Sequence, residues 1–258
     1  GIPLQIVSDG LKLWMPYGAP DIDTGTQFVG TGSTSFDTTN DYVEIPDSAD
    51  WDFGTGAWSV AFWVKITEDV AGYVIWRADA IGNSSSSRRW GVYYSNGDDS
   101  LGYYSSGVSG DTGGITLSSD VGDFLNVWTH YVYVRGADTL GRQYLNGVLK
   151  QTGTADTQNH SNTDPIFIGN GQNTYTSKLI KNVAIWNRAL TATEVQNVMY
   201  KTYAEVSGRL ASGLVSWWAL DVDYTDSKGS NNGTNYGSTL NTDLYGGDTP
   251  VIPRAIDN

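Results

Sequence analysis

Several stretches of the chain alternate regularly between apolar and polar residues, the pattern of a β-strand whose two faces meet different surroundings. The clearest stretch covers residues 57–66. One of its faces carries only large apolar side chains, namely Trp58, Val60, Phe62, Val64 and Ile66. The opposite face carries Ser59, Ala61, Trp63 and Lys65. This stretch and residues 127–136, which alternate in the same way, are both long enough to be central strands of a β-sandwich.

The remaining strand signals are shorter and are separated by turn-rich sequence. Residues 142–151 contain Asn146-Gly147 between two apolar runs, and because both residues tolerate the positive φ of a type I′ turn, this segment predicts a hairpin. Further strands are predicted at residues 41–45, 72–78, 89–95, 101–105, 165–169, 179–187 and 214–220. Many short strands joined by tight turns are typical of an antiparallel β-sandwich or jelly roll.

One segment departs from the β pattern and predicts a helix. Thr191 and Glu194 have the spacing of a capping box, and Leu190 and Val195 stand where a hydrophobic staple would close. We therefore expect one short α-helix over residues 192–203.

The last part of the chain has a different composition. After residue 220 the sequence becomes dense in Asp, Asn, Ser, Thr and Gly. Because such a segment can bury little apolar area for its length, residues 221–258 are expected to form an irregular polar tail. This tail would lie against the domain or reach a neighbour.

Composition narrows the class of protein and its partners. The 258 residues include 31 Gly, 16 Tyr and 10 Trp but only 17% charged residues, which favours strands and turns over amphipathic helices. The formal net charge of −13 would repel a phosphate backbone or an anionic membrane, so we expect neither nucleic acid nor membrane as a partner. The absence of Cys excludes disulfides, a thiolate nucleophile and zinc–thiolate ligation.

A phrase near the beginning of the chain returns near the end. Residues 10–17 read GLKLWMPY and residues 213–220 read GLVSWWAL, with Gly, Leu and Trp at identical offsets. Two explanations are open. Either the two ends of one domain are similar strands of the same sheet, or residue 213 opens a second copy of the domain in a tandem array.

The order of these phrases resembles a known family. Residues 35–66 resemble the opening of laminin-G-like domains of the concanavalin A-like lectin superfamily, in which a phrase of the form F-D-x-x-N-D-Y-V precedes a long aromatic-rich strand. NVWTHYVYV and YLNGVLK resemble the central strand and the hairpin of that fold, and residues 179–200 are similar to the closing strand and helix of pentraxins and laminin-G domains. The resemblance covers residues 10–220 and implies an antiparallel β-sandwich jelly roll.

The resemblance also bears on the repeated phrase. In pentraxins a strand follows the closing helix and returns to the sheet, and residues 214–220 stand at that place. This favours one domain over residues 1–220, closed by the strand 214–220 and followed by the tail 221–258. The tandem alternative stays open, since the N-N-G-T stretch from Asn231 also looks like a domain opening.

Nothing in the sequence has the pattern of an active site. Glycosidases of this fold carry an E-x-D-x-E type signature, because an acid and a nucleophile must flank one glycosidic bond, and no such triple occurs here. His130 lies in a predicted core strand and is expected to be buried, whereas His160 lies in a polar loop and is expected to be solvated. We therefore expect a non-enzyme, although an unusual glycoside hydrolase is kept as a third hypothesis.

The resemblance implies at most one calcium ion as a cofactor. Asn40 and Asp41 match the family phrase whose residues often hold calcium. Pentraxins supply further acidic ligands from the loop after the strand matched here by residues 165–169, but this sequence has no carboxylate there. The alternative is that Asn40 and Asp41 only stabilise the turn before the next strand, as Asx residues do.

An aromatic segment is the candidate ligand site. Sugar recognition needs an aromatic surface for the apolar face of the ring together with polar groups for the hydroxyls. Residues 78–107 offer five aromatic side chains between polar loops, namely Trp90, Tyr93, Tyr94, Tyr103 and Tyr104. Because adjacent residues of a strand point to opposite faces, one Tyr of each adjacent pair is expected in the core and the other on the outer surface.

Two classes of function follow. The first is a non-catalytic recognition module that binds carbohydrate or another surface ligand and comes from a phage, viral or bacterial exported protein. The second is a structural virion protein, such as a capsid decoration or fibre component, that forms a homo-oligomer or binds a capsid protein. Both imply an extracellular or virion-surface location, and both rest on the fold resemblance, which is an associational argument.

Overall fold

The computed structural model describes residues 30–37, 40–78, 89–106, 116–118, 124–171 and 176–241. Within these ranges the first strands are β1 (Ser33–Phe36), β2 (Tyr42–Ile45), β3 (Trp58–Ile66), β4 (Gly72–Arg77), β5 (Trp90–Ser95), β6 (Ser100–Ser105) and β7 (Thr116–Ser118). They are followed by β8 (Thr129–Arg135), β9 (Leu140–Leu145), β10 (Val148–Ala155), β11 (Ile166–Ile168), β12 (Lys178–Trp186), β13 (Leu214–Trp218), β14 (Thr234–Tyr236) and β15 (Thr239–Asn241). Two helices, α1 (Ala192–Val198) and α2 (Gly208–Ala211), separate β12 from β13.

These strands form two antiparallel sheets. The eight-stranded sheet has the order β10-β9-β8-β3-β12-β1-β15, with β13 also paired to β12. The seven-stranded sheet has the order β14-β2-β11-β4-β5-β6-β7. The described residues therefore confirm the predicted all-β fold, an antiparallel sandwich with little helix.

The core lies between the two sheets and is rich in aromatic rings. The predicted apolar face of β3 points inward, and Trp58 at its start is fully buried. Trp58 contacts Trp90 of the opposite sheet at 4.7 Å and Tyr133 of β8 at 5.2 Å between ring centroids. Such large rings contribute most of the buried apolar area that holds two sheets together.

The outer face of the eight-stranded sheet is also covered. Ala61 of β3 and Val132 of β8 pack against α1 and against Trp217 of β13. The helix begins as predicted, with the Glu194 N–H donating to Thr191 Oγ1 at 3.2 Å and the Thr191 N–H donating to Glu194 Oε2 at 2.8 Å. As a result both faces of β3 are buried along all nine residues.

Helix α1 is shorter than predicted. The sequence indicated a helix to residue 203, but α1 ends at Val198. Thr202 adopts an extended conformation and, with Glu205, starts a separate 3-10 turn, in which the Thr202 N–H donates to Glu205 Oε2 at 2.8 Å. This second capping arrangement competes with continuation of the helix.

The C-terminal phrase belongs to the same sandwich. Strand β13 pairs antiparallel with β12, with Trp217 opposite Ala184. The polar segment after residue 220, for which we expected an irregular tail, supplies β14 beside β2 and β15 beside β1. The strand predicted at residues 10–17 lies outside the described residues, as do residues 242–258.

A buried arginine joins the loops at one end of the sandwich. Arg77 has no exposed surface. It donates to four backbone carbonyls, those of Trp51 at 2.8 Å, His160 at 2.7 Å, Asn162 at 2.9 Å and Asp164 at 3.3 Å. It also donates to the carboxylate of Asp52 at 3.2 Å. Because a buried guanidinium is costly unless it is paired, this arrangement holds the loops in one conformation.

Replacement of this arginine should destabilise the fold. We expect Arg77→Lys to lower the free energy of unfolding by about 2 to 4 kcal/mol, because an ammonium cannot reach all of these acceptors and leaves buried carbonyls unpaired. Arg209→Lys is the matched control, since that side chain is 79% exposed. Urea unfolding measures both variants, and equal losses would contradict the assigned role of Arg77.

A buried histidine should make stability depend on pH. His130 is 2% exposed, packs against Trp63 at 5.2 Å, and has its pKa lowered by burial from 6.5 to about 3. Below about pH 6.5, His130 binds a proton in the unfolded chain but stays neutral in the folded chain. The free energy of unfolding therefore falls as pH decreases. Between pH 7 and pH 5 the expected contribution is a loss of about 2 kcal/mol. Urea unfolding at both pH values should give a smaller loss for His130→Gln than for the wild type.

Candidate functional site

The outer face of the seven-stranded sheet carries a continuous row of aromatic side chains, which we call the aromatic strip. It arises because alternate residues of neighbouring strands point to the same face, and because an irregularity of β4 between Tyr73 and Ile75 brings Tyr73 and Trp76 to that face together. Six strands contribute to it. In sheet order its members are Tyr236, Tyr42, Phe167, Trp76, Tyr73, Tyr93 and Tyr104.

The rings of the strip contact one another from strand to strand. Tyr236 stacks on Tyr42 with ring centroids 4.5 Å apart, and Tyr42 meets the edge of Phe167 at 5.8 Å. In the middle of the sheet, Tyr73 lies 4.4 Å from Trp76 and 5.0 Å from Tyr93. Stacked and edge-on geometries of this kind are favourable, so each ring helps to fix the next.

The strip has a buried floor and more exposed ends. Trp76, Tyr73 and Phe167 are at most 7% exposed. Tyr236 is 43% exposed, whereas Tyr42 and Tyr93 are half-buried. Burial raises the pKa of the Tyr42 and Tyr93 hydroxyls above the ordinary value of 10.0, so both hydroxyls stay protonated and can donate a hydrogen bond at neutral pH.

Arg89 supplies positive charge to the strip. Its guanidinium lies 5.8 Å from the ring of Trp76 and 5.7 Å from the ring of Tyr104, and its Nη2 donates to the Tyr104 hydroxyl at 3.3 Å. Its Nε and Nη1 are buried and have no hydrogen-bond partner among the described residues, as is also true of Trp76 Nε1. The strip therefore has a buried centre around Trp76, and its accessible rings are those of Tyr236, Tyr42, Tyr93 and Tyr104.

The five predicted ligand residues divide between the two faces of the sheet. Tyr93 and Tyr104 lie on the strip, and their role in binding stays a prediction. Trp90, Tyr94 and Tyr103 point into the core and are at most 1% exposed. Since each strand alternates, the adjacent residue must turn inward, and a side chain without exposed surface has nothing to offer a ligand.

The sequence analysis missed most of the strip. Its other members come from strands far apart in the chain, namely Tyr42, Tyr73, Trp76, Phe167 and Tyr236. The available signal was an aromatic residue at an alternate position of each short strand. The order of the strands in the sheet, which brings these positions together, is not visible in the sequence.

The second histidine is buried, contrary to expectation. His160 has no exposed surface, and its Nε2 lies 3.0 Å from Asp156 Oδ2. Ser105 Oγ donates to the same carboxylate at 3.3 Å rather than to the imidazole. This Ser, His and Asp arrangement therefore differs from a nucleophile–base pair, and its complete burial gives a substrate no access.

The predicted calcium residues lie in one turn between β1 and β2. Asp41 is 5% exposed, and its Oδ2 accepts a hydrogen bond from the backbone N–H of Asp37 at 3.0 Å. This hydrogen bond stabilises the turn, as the alternative to calcium binding predicts. The carboxylates of Asp37 and Asp41 lie close together, with Asn40 exposed beside them. The hydrogen bond between the two side chains, together with the negative charge of Asp41, therefore raises the pKa of Asp37. Two carboxylates could supply some of the six to eight oxygen ligands that a calcium ion takes, but not all of them.

The described residues contain neither a cluster of metal-ligating side chains nor a helix that could span a membrane. No group of three or more His, Asp or Glu side chains in these ranges is arranged to hold a metal ion. In the same ranges, no helix is long and apolar enough to cross a membrane. Calcium at Asn40 and Asp41 therefore stays a prediction.

The fold is similar to several solved structures of low sequence identity. A candidate carbohydrate-binding protein from Bacteroides ovatus matches with a TM-score of 0.59 and 14% identity, over 82% of this chain but only 60% of that protein. The heptameric SAP-like pentraxin from Limulus polyphemus matches with a TM-score of 0.54 and 18% identity, over 81% of this chain and 94% of the pentraxin. The botulinum neurotoxin serotype D binding domain gives 0.52 and 18%, over 66% and 43% of the two chains. At such identities the likeness shows the fold alone.

Sequence comparison gives the family. No curated protein matches the chain. Residues 37–196, however, match a laminin G family model of the concanavalin A-like lectin/glucanases superfamily. This range is more than half of the chain and contains every strand from β2 to β12. The predicted resemblance is thus confirmed, and the chain belongs to the laminin G family of the concanavalin A-like lectin/glucanases superfamily.

Proposed function

We propose that this protein is a non-catalytic recognition module that binds carbohydrate on the aromatic strip. The observation that carries the proposal is the strip itself, a row of contacting rings on one face of the sheet with the guanidinium of Arg89 against Trp76 and Tyr104. The apolar face of a sugar ring packs on an aromatic side chain, while its hydroxyls need hydrogen-bond partners. Two of the similar solved structures, the Bacteroides ovatus protein and the botulinum neurotoxin domain, are described as binding proteins, which supports this class of function without identifying the ligand.

The dimensions of the strip favour an extended ligand. It crosses six neighbouring strands, from β14 to β6. At about 4.8 Å between neighbouring strands, five intervals give a length of roughly 24 Å. A surface of this length suits a chain of several sugar units better than a single sugar, and the exposed rings toward its ends would contact different units.

The charges on this face argue against hydrolysis. A glycosidase needs two carboxyl groups on opposite sides of the scissile bond. Among the described strand positions of this face, Glu44 is the sole carboxylate, since its neighbours Val43 and Ile45 point into the core. The strip therefore offers binding groups without the second acid that cleavage requires. Release of reducing ends from a polysaccharide would overturn this part of the proposal.

The proposal also includes the setting of the protein. A module that binds carbohydrate would work outside the cell or on a virion surface, because it meets polysaccharides there. The charge of −13 is compatible with a solvated protein of this kind. A calcium ion at Asn40 and Asp41 would lie just before the start of β2, the strand that bears Tyr42 of the strip.

Glycan-array binding and titration calorimetry test the site. We expect Tyr93→Ala and Tyr104→Ala each to raise the dissociation constant of the best array ligand by about 5- to 20-fold, because each removes one stacking surface. Tyr200→Ala is the matched control, since Tyr200 is equally half-buried but packs beside Met199 on the other sheet, and it should leave the dissociation constant unchanged.

An inert array would count against the lectin proposal. If light scattering then gave a stable ring or trimer, the structural assembly role, with copies of itself or a capsid protein as partners, would replace it. Equal losses in all three Tyr variants would indicate a general effect on folding and would also contradict the assigned site.

Calcium binding has its own test. We expect isothermal titration of calcium into the metal-free protein to show one site, and Asp37→Asn to abolish it while leaving the hydrogen bond from the Asp37 backbone to Asp41 in place. Asp138→Asn is the control, because Asp138 is paired with Arg142 elsewhere on the surface. No heat of binding in the wild type would leave Asn40 and Asp41 with the turn-stabilising role only.

A further inference from the structure

A pocket lies between α1 and α2, which pack on the outer face of the eight-stranded sheet. We call it the helical pocket. Its volume is about 630 Å³, which is within the range of about 300 to 1,000 Å³ that is typical of small-molecule sites. Its polar side chains include Glu194, Asn197, Lys201, Glu205, Ser207 and Arg209. None of these residues belongs to the aromatic strip, so the two features are separate.

The two walls of the helical pocket are joined by one arginine. Arg188 donates from Nη1 and Nη2 to the two carboxylate oxygens of Glu194 on α1, at 2.9 and 2.8 Å. The same guanidinium donates to the backbone carbonyls of Arg209 at 2.7 Å and Ser212 at 2.6 Å, within α2 and at its end. Because one planar group holds both walls, the pocket has its shape before a ligand binds, as most small-molecule sites do.

The buried carboxylate in this pocket is already saturated. Glu194 is 6% exposed. Besides Arg188, its Oε2 accepts hydrogen bonds from the N–H and the hydroxyl of Thr191 at 2.8 and 3.0 Å, and its Oε1 lies 3.3 Å from Arg209 Nε. A cation that bound here would have to displace two guanidinium groups. The helical pocket is therefore unsuited to a metal ion.

The charges around the helical pocket leave an excess of positive charge. Arg188, Lys201 and Arg209 are positive, and Glu194 and Glu205 are negative, so the sum is 3 − 2 = +1 in a chain whose formal net charge is −13. The Arg209 side chain is 79% exposed, and its Nε lies against Glu194. Its Nη1 and Nη2 have no acceptor among the described residues. These two nitrogens can hold both oxygens of a carboxylate.

The remaining polar groups suit hydroxyls. The side chains of Thr193, Asn197 and Ser207 make no hydrogen bond within the described ranges. Glu205 uses only Oε2, which accepts the N–H and the hydroxyl of Thr202 at 2.8 and 2.9 Å. Its Oε1 is available to a ligand. Because a hydroxyl both donates and accepts, it can bond to amide, hydroxyl and carboxylate groups alike.

These features together define one class of ligand. A pair of guanidinium nitrogens suits a carboxylate, and the free polar groups around it suit several hydroxyls. We propose that the helical pocket binds an acidic sugar, whose carboxylate lies on Arg209 and Lys201. The hydroxyls of the sugar bond to Asn197 and Glu205. This site lies on a different sheet from the aromatic strip and does not rest on the function proposed for the strip.

Titration of the full chain, followed by ¹H–¹⁵N NMR, tests the site. The ligand added is glucuronate, and its matched control is glucose, which has the same ring without the carboxylate. We expect glucuronate to cause saturable shifts of backbone amides in residues 191–210. The dissociation constant of glucose should be at least about 10-fold larger, because glucose cannot pair with Arg209. Lactate, which has a carboxylate and a hydroxyl but no ring, should also bind at least about 10-fold more weakly.

Variants assign the binding to the pocket. Arg209→Gln should raise the dissociation constant of glucuronate at least about 10-fold, and the exposure of this side chain means that the fold should stay intact. Lys228→Gln is the matched control, since it removes the same charge from an exposed residue between β13 and β14, outside the pocket. It should leave the dissociation constant unchanged.

Several results would overturn the inference. Glucuronate that causes no saturable shifts would do so, as would equal binding of glucose or lactate, since the carboxylate or the ring would then play no part. An equal loss in Arg209→Gln and Lys228→Gln would reduce the effect to net charge. Tyr104→Ala separates this site from the aromatic strip. We expect it to leave glucuronate binding unchanged, whereas a loss equal to that of Arg209→Gln would place the sugar on the strip instead.

Discussion

Burial of both faces of the central strands of the eight-stranded sheet is the constraint on which the rest of the structure depends. Strands β3 and β12 are buried along their whole length, inward against the second sheet and outward against an apolar layer that includes Val195 and Val198 of α1. The inner face of the seven-stranded sheet is used in the same core. On the outer face of that second sheet, Trp76 at the centre of the strip is buried, and the rings that a ligand can reach are those of Tyr236, Tyr42, Tyr93 and Tyr104.

Polar groups buried at the rim of the sandwich give that surface a fixed shape. Arg77 ties the loops around β4 to the loop that contains His160, while Asp156 holds His160 and Ser105. Each of these groups would be costly if left unpaired, so the loops have few alternatives. Because β4 also bears Trp76 in the middle of the aromatic strip, order at the rim extends to the candidate site.

The candidate site shows how far local patterns reach. Alternation correctly predicted that each adjacent Tyr pair divides between core and surface, and it placed Tyr93 and Tyr94 on opposite faces. Which member of a pair faces the core depends on the side of the sheet that packs against β3 and its neighbours. The sequence alone therefore could not show that Tyr94 and Tyr103 face the core. Nor could it show that Tyr236 lies on the strip.

The sequence by itself determined the class of fold, the long strands, the hairpin at Asn146-Gly147 and the start of α1, because these follow from local periodicity and capping chemistry. Tertiary structure decided the end of α1, the burial of His160 and the use of residues 234–241 as edge strands. It also decided which aromatic residues meet in the strip. The physical reason is common to all of these cases: contacts between residues far apart in the chain add to, and can override, the weaker local preferences of a polar loop or a short helix.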